Sequence, residues 1–203
     1  MASRKRVCKQ SVSGAPYISC IRKEHRLKRI LIALALGSIA LTASAESLQQ
    51  KRVARGQYLV TISGCSDCHS PKKAGFAPDT DRLLSGRPAT TPAPPQPANP
   101  GQVSAAGDLT AWYGPWGISY SANLTPDPET GIGRRYNEKS FIKTLRTGKK
   151  PEGEELLPPM PWPNFAQMTD EDLKSIYAYL QTLKPVKNFV RSAAPVPVAT
   201  KGR

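Results

Sequence analysis

The stretch Cys65-Ser66-Asp67-Cys68-His69 constrains this chain more than any other, because two thiols three residues apart and an adjacent imidazole require one helical turn that presents all three to a common space. Several chemistries use such a spacing. A structural zinc site needs four Cys or His ligands, and the remaining Cys8, Cys20 and His25 all fall in an N-terminal leader, leaving three. A thioredoxin-type redox pair needs a βαβ setting, and no run of β-branched residues surrounds position 65. A plain Cys65 to Cys68 disulfide leaves His69 without a task. The remaining reading is a covalently mounted haem c: Cys65 and Cys68 form thioethers to its two vinyl groups, and His69 is the proximal iron ligand.

The leader is read from residues 1–45. Arg22, Lys23, Arg26, Lys28 and Arg29 precede the apolar run Ile30–Leu41, which closes on Ala43-Ser44-Ala45. That order is the pattern of a secretory signal peptide, with cleavage expected between Ala45 and Glu46. The apolar run is 12 residues long, short of the roughly 17 to 25 needed to span a bilayer. No stable transmembrane span is therefore expected after cleavage, and the expected location is the periplasm. No cysteine stands at the junction to carry a lipid. The segment Met1–Ile21 adds Arg4, Lys5, Arg6 and Lys9 to an already complete signal, so either the basic region is unusually long or translation begins nearer Leu27.

Removing the leader changes what the charge means. The whole chain has 29 basic and 15 acidic residues and a net charge of +14. Nine of the basic residues and one of the acidic ones precede Glu46, leaving 20 against 14, a net of +6. A nucleic-acid partner loses its main support on that count. What remains is an exported domain of 158 residues, enough for one core.

Helical periodicity marks three elements. Glu46–Ile62 carries Leu48, Val53, Leu59, Val60 and Ile62 on an apolar face, with Gly64 as its terminator. Gly56 interrupts it at a cost of about 1 kcal/mol relative to alanine, which close approach of a second helix would justify. Asn137 caps a helix through Phe141, Ile142 and Leu145 to Gly148. Thr169 caps the last, in which Asp170, Glu171 and Asp172 favour the dipole and Leu173, Ile176, Tyr177, Leu180 and Leu183 repeat until Pro185. Met168 ahead of the cap and Leu173 form the pattern of a hydrophobic staple. Residues 88–107 hold six prolines and little to bury, and read as a surface insertion. The C-terminal segment 187–203 reads as a mobile tail.

An iron held by His69 has a second face, and beyond the leader no other histidine exists. Met160 and Met168 are the remaining thioether donors. Met160 lies in Leu157-Pro158-Pro159-Met160-Pro161-Trp162-Pro163, where flanking prolines stiffen an irregular loop. Such a loop suits a distal iron ligand, and Met160 is assigned that place against the alternative that it fills a core gap.

With these elements in order, the chain resembles the class I c-type cytochromes over Val53–Val186. The likeness is strongest in Ser121-Ala122-Asn123-Leu124-Thr125-Pro126-Asp127-Pro128-Glu129-Thr130-Gly131-Ile132-Gly133, in Pro159-Met160-Pro161-Trp162 and in Met168-Thr169-Asp170-Glu171-Asp172-Leu173. These are similar to the haem domains of cytochrome subunits of periplasmic alcohol, aldehyde and gluconate dehydrogenases. Arg135-Tyr136 departs from the family, which often carries tryptophan after the Gly-Ile-Gly-Arg pattern. The resemblance implies an all-α class I cytochrome c fold, with three to five helices wrapped around one haem and long irregular loops. It implies electron transfer rather than enzyme catalysis, from a dehydrogenase donor towards a cytochrome or oxidase acceptor. A single Cys-x-x-Cys-His makes this a one-haem chain.

Helix phase suggests a haem pocket of Leu59, Leu83, Leu84, Leu145, Trp162 and Ile176, whose dryness would raise the reduction potential. Lys72, Lys73, Lys149 and Lys150 are candidates for a docking ring around the exposed edge. Two other classes stay open: a haem protein with an open iron site, peroxidase-like or gas-sensing, and a zinc or disulfide interaction domain without redox function.

Overall fold

The computed structural model describes residues 47–97, 99 and 101–193. The leader with its apolar run and cleavage junction, and residues 194–203, lie outside the described residues. The described residues from Gln50 onward form one compact unit, and the description below is of that unit.

Among the described residues there are six α-helices. Helix α1 covers residues 47–62, and its ladder closes through bonds from Ser63 N to Leu59 O (3.0 Å) and Gly64 N to Thr61 O (3.2 Å). Gly64 then adopts φ 65°, a left-handed conformation that favours glycine, and turns the chain directly into α2, Cys65–His69. Two 3-10 turns follow, Ala74–Phe76 and Thr80–Arg82. Later come α3 (Ile132–Arg135), α4 (Glu138–Thr147), α5 (Trp162–Phe165) and α6 (Asp170–Leu180).

The caps follow from residue type. Asn137 and Ser140 form a reciprocal capping box on α4, and Gly148 at φ 69° ends it. Thr169 accepts from Asp172 N at 3.1 Å to start α6. Helices α4 and α6 pack on each other and α5 packs on α4. Leu59, Val60, Leu84, Ile132, Phe141, Leu145, Leu173, Ile176 and Leu180 close one buried cluster, against which Met168 packs. Phe141 stands between Tyr136 and Tyr177, with ring centroids 6.2 and 5.4 Å away.

The all-α expectation holds for the helical body but omits a small sheet. Strands β1 (Ser104–Ala105), β2 (Ala111–Gly114) and β3 (Gly117–Tyr120) form an antiparallel three-stranded sheet in the order β1-β2-β3. Gly114 pairs with Gly117 across a two-residue Pro115-Trp116 connection. The aromatic and β-branched residues of Ala111-Trp112-Tyr113 and Ile118-Ser119-Tyr120 on either side of that turn carry a hairpin signal. Reading for helices alone passes over it. The proline-rich segment is tied to this sheet: the Ser104 hydroxyl donates to Pro95 O, and Pro88, Pro94 and Ala106 are buried.

Gly56 has the use that its helix-interior position requires. A Cβ added there would lie 1.9 Å from Ser175 O and 2.8 Å from Tyr179 Cβ, so α1 and α6 cross with backbone against backbone. Arg55 flanks the crossing with an ion pair to Asp172 at 2.9 Å, exposed and worth about 0–1 kcal/mol. Gly56→Ala is expected to destabilise the fold by about 3 kcal/mol, because backbone rather than a flexible side-chain tip must give way. Denaturant unfolding of the two proteins measures it.

Candidate functional site

Cys65, Cys68, His69 and Met160 all line one predominantly apolar cavity of about 220 Å³. Its floor and walls come from separate parts of the chain. Val60, Leu145, Ile176 and Leu180 reach it from the helical core, and Trp112 and Tyr120 from the sheet.

Helix α2 is too short to hold itself together, and its ends are pinned from outside. Lys72 Nζ donates to the carbonyls of Asp67 and Ser70, each at 2.8 Å, and of Ser66 at 3.2 Å, satisfying acceptors that one helical turn leaves open. Buried Ser70 accepts from Leu84 N at 2.9 Å, and Gly86 N donates to His69 O at 2.7 Å. The two thiols and the imidazole are therefore carried on a fixed platform.

His69 Nδ1 lies 2.8 Å from Ala122 O. A carbonyl only accepts, so the proton is on Nδ1 and the Nε2 lone pair is free. Removal from water lowers the imidazole pKa from its ordinary value, which keeps that lone pair available at neutral pH. Both cysteines are free thiols. Burial pushes the Cys65 thiol up to about 11 and raises that of Cys68 as well. A reactive redox pair depends on a lowered thiol pKa, so this environment does not suit thioredoxin-type exchange. Among the described residues no three His, Cys, Asp or Glu side chains converge on a metal-sized site, which leaves a zinc centre without its ligands. Two thiols, one free imidazole nitrogen and a thioether around an apolar cavity form a donor set that fits a covalently mounted haem.

The two methionines part company here. Both pack against the hydrophobic cluster, but of the two only Met160 lines the cavity. The loop carrying Met160 is anchored where Leu156 N donates to Gly148 O at 2.7 Å. It turns through bonds from Met160 N to Leu157 O (3.2 Å) and Trp162 N to Met160 O (2.9 Å).

The pocket read from helix phase needs correction. Leu145 and Ile176 line the cavity; Leu59 and Leu84 are buried in the cluster, and Leu83 packs against it. Trp162 instead covers Gly148, its ring 2.4 Å from where a Cβ would sit. Phase places a residue on the inner face of its helix but cannot separate core from cavity on that face. Three of the four lysines considered for a docking ring have partners within the chain. Lys72 caps α2, Lys73 pairs with Asp79 and Asp81 at 3.2 and 3.1 Å, and Lys150 pairs with Glu154 at 2.8 Å.

Sequence reading also missed a wall supplied by the chain after α6. Residues 189–193 line the cavity, within the segment 187–203 expected to be mobile. What holds them is a polar knot. Asn188, 6 % exposed, donates through Nδ2 to Ser85 O (2.8 Å) and Arg87 O (2.9 Å). Its backbone N–H donates to Thr130 Oγ1 at 2.9 Å, and Asn123 Nδ2 donates to Val186 O at 2.8 Å. Thr130 in turn donates to Asp127 Oδ1 at 2.7 Å, and this bond, first among several, holds the Asp127 carboxyl below its ordinary pKa. Arg134, Arg135 and Tyr136 line the cavity near this knot, with Arg134 Nη1 donating to Glu129 O at 3.2 Å.

Comparisons with known proteins show the family of the chain. The family model described as Cytochrome c matches residues 53–184. The chain is 33% identical over 176 residues to the gluconate 2-dehydrogenase cytochrome c subunit of Pantoea cypripedii, covering 86% of this chain and 31% of that protein. It is 33% identical over 159 residues to the cytochrome c subunit of the quinone alcohol dehydrogenase of Gluconobacter oxydans (strain 621H), covering 76% and 27%. Over 141 residues it is 35% identical to the fructose dehydrogenase cytochrome subunit of Gluconobacter japonicus, covering 69% and 23%. The matched region spans under a third of the length of each of these relatives.

Asn188→Ala is expected to cost about 2 kcal/mol, because the buried carbonyls of Ser85 and Arg87 lose their donor without gaining water. Chemical denaturation measures the loss, and increased proteolytic cleavage after residue 186 in the folded protein would report the freed cavity wall.

Proposed function

Since this chain belongs to the cytochrome c family, we propose that it is a periplasmic one-haem electron carrier in which Cys65 and Cys68 hold haem c through thioethers. His69 and Met160 would hold its iron. The observation that carries the reading is the convergence of these four side chains on one cavity.

Haem c, when bound, supplies a one-electron ferric/ferrous couple. The protein's own groups do the rest. The bond from His69 Nδ1 to Ala122 O fixes the tautomer and orientation of the ring and leaves Nε2 free to bind. Two thioethers on a pinned helix keep the group in one position through both oxidation states. Apolar walls make the extra positive charge of the oxidised form costly, and a thioether ligand favours the reduced form. Both effects raise the reduction potential. With two side chains assigned to the iron there is no position left for a substrate, so the role is electron transfer, not catalysis.

The relatives named as dehydrogenase cytochrome subunits support a dehydrogenase as electron donor, with a cytochrome or oxidase of the respiratory chain as acceptor. The signal-like leader supports export. Among the described residues no helix is long and apolar enough to cross a membrane. One Cys-x-x-Cys-His in the sequence supports one haem.

Optical spectra of the periplasmically expressed protein, oxidised and reduced, test the assignment. A low-spin c-type spectrum is expected, with a weak methionine-to-iron band in the far red that Met160→Ala abolishes while lowering the reduction potential. A high-spin ferric spectrum indifferent to that substitution would overturn it in favour of an open iron.

A further inference from the structure

The loop that carries Met160 has an unusual difficulty in being held. Pro158, Pro159, Pro161 and Pro163 have no N–H, so this stretch is short of backbone donors and ties to other elements fall largely to its carbonyls. One such tie comes from a distant element. Ser119 Oγ on β3 donates to Pro158 O at 2.6 Å, two residues before Met160. Ser119, Pro159 and Met160 all line the cavity.

The donor itself stands on a rigid base. Ser119 is paired across the hairpin with Trp112, so the two side chains lie on one face of the sheet. Trp112 Nε1 donates to Leu109 O at 3.0 Å, and β1 pairs with β2 on its far side. A serine loses little rotamer entropy in making the bond, unlike a longer donor.

We propose that Ser119 is a positioning residue for Met160, and that the sheet serves to hold the methionine loop closed. The proposal rests on the reading of Met160 as the distal iron ligand. Where Met160 withdraws by a swing of the loop, the bond to Pro158 O breaks with it, so Ser119 biases the loop towards the closed state. The site is partly open to water, which can replace the lost donor, so the effect is that of an ordinary neutral hydrogen bond, on the order of three- to tenfold in the opening equilibrium.

The test is an optical titration of the ferric, haem-loaded full chain with imidazole, which competes with Met160 for the iron. Ser119→Ala and Ser119→Val are expected to bind imidazole three- to tenfold more tightly than wild type. Ser119→Thr, which matches valine in shape and keeps the hydroxyl, should stay near wild type. The Thr and Val pair keeps the test informative where alanine weakens the strand. Equal imidazole affinity in wild type and Ser119→Val would overturn the proposal, as would a Thr variant as loose as Val. A wild-type spectrum without the methionine band, or one unchanged in Met160→Ala, would overturn the ligand assignment and this inference with it. An intact band with no effect at Ser119 would overturn this inference alone.

Discussion

The contact of Gly56 with the carbonyl of Ser175 is the constraint on which the rest of this structure depends. Two helices whose backbones meet, with Ser175 O 1.9 Å from the place of a missing Cβ, cannot slide or roll without separating. That fixes α1 against α6, and with it the point where α1 ends. Gly64 reverses the chain there in a left-handed conformation, so Cys65, Cys68 and His69 are delivered to the end of the hydrophobic cluster rather than to solvent. The absence of a side chain at position 56 thus decides where the chemistry sits.

Beyond that frame, the cavity is mostly the work of irregular chain. Loops that line a buried site must satisfy their own backbone groups, and here side-chain amides and hydroxyls do so. Asn123, Thr130 and Asn188 join the segment near Ala122, the turn at Asp127 and the chain after α6 into one knot. Ala122 then offers its carbonyl to His69. The orientation of the imidazole is set in this way by a loop held from the opposite end of the sequence. Such a wall gives the rigidity that a redox site requires, since a group that barely moves between oxidation states costs little to reorganise.

Charge on the face around the cavity is more balanced than the basic composition suggests. Three lysines near the Cys-x-x-Cys-His turn and the end of α4 are occupied, Lys72 by carbonyls and Lys73 and Lys150 by carboxylates. Their field is partly cancelled at short range, and salt screens what remains. Among the described residues Lys149 has no carboxylate partner, so the positive charge on this face is local rather than a broad ring.

How much was legible in the sequence differs by the type of signal. Caps at Asn137 and Thr169, the terminators Gly64 and Gly148, and the apolar stripes of α4 and α6 are local devices, set by bonds within one turn, and they read directly, whereas of the stripe expected on α1 Leu59 and Val60 are buried but Leu48 and Ile62 are exposed. Of the two methionines, the one that the prolines place in an irregular loop, Met160, is the one that lines the cavity. The β1-β2-β3 sheet was missed although Trp112, Tyr113, Ile118 and Tyr120 flank a tight turn, since its strands are too short for alternation to stand out. Residues 189–193 could not be read as a wall of the cavity, because the bonds from Asn188 to Ser85 and Arg87 span about a hundred positions of sequence. By itself the sequence determined the cofactor-type chemistry and the helices that present it, both of which depend on spacing within a few residues. Only the tertiary structure decided which apolar side chains face the cavity, which lysines are free, and what holds the methionine loop. Those depend on contacts between segments whose approach no local pattern records.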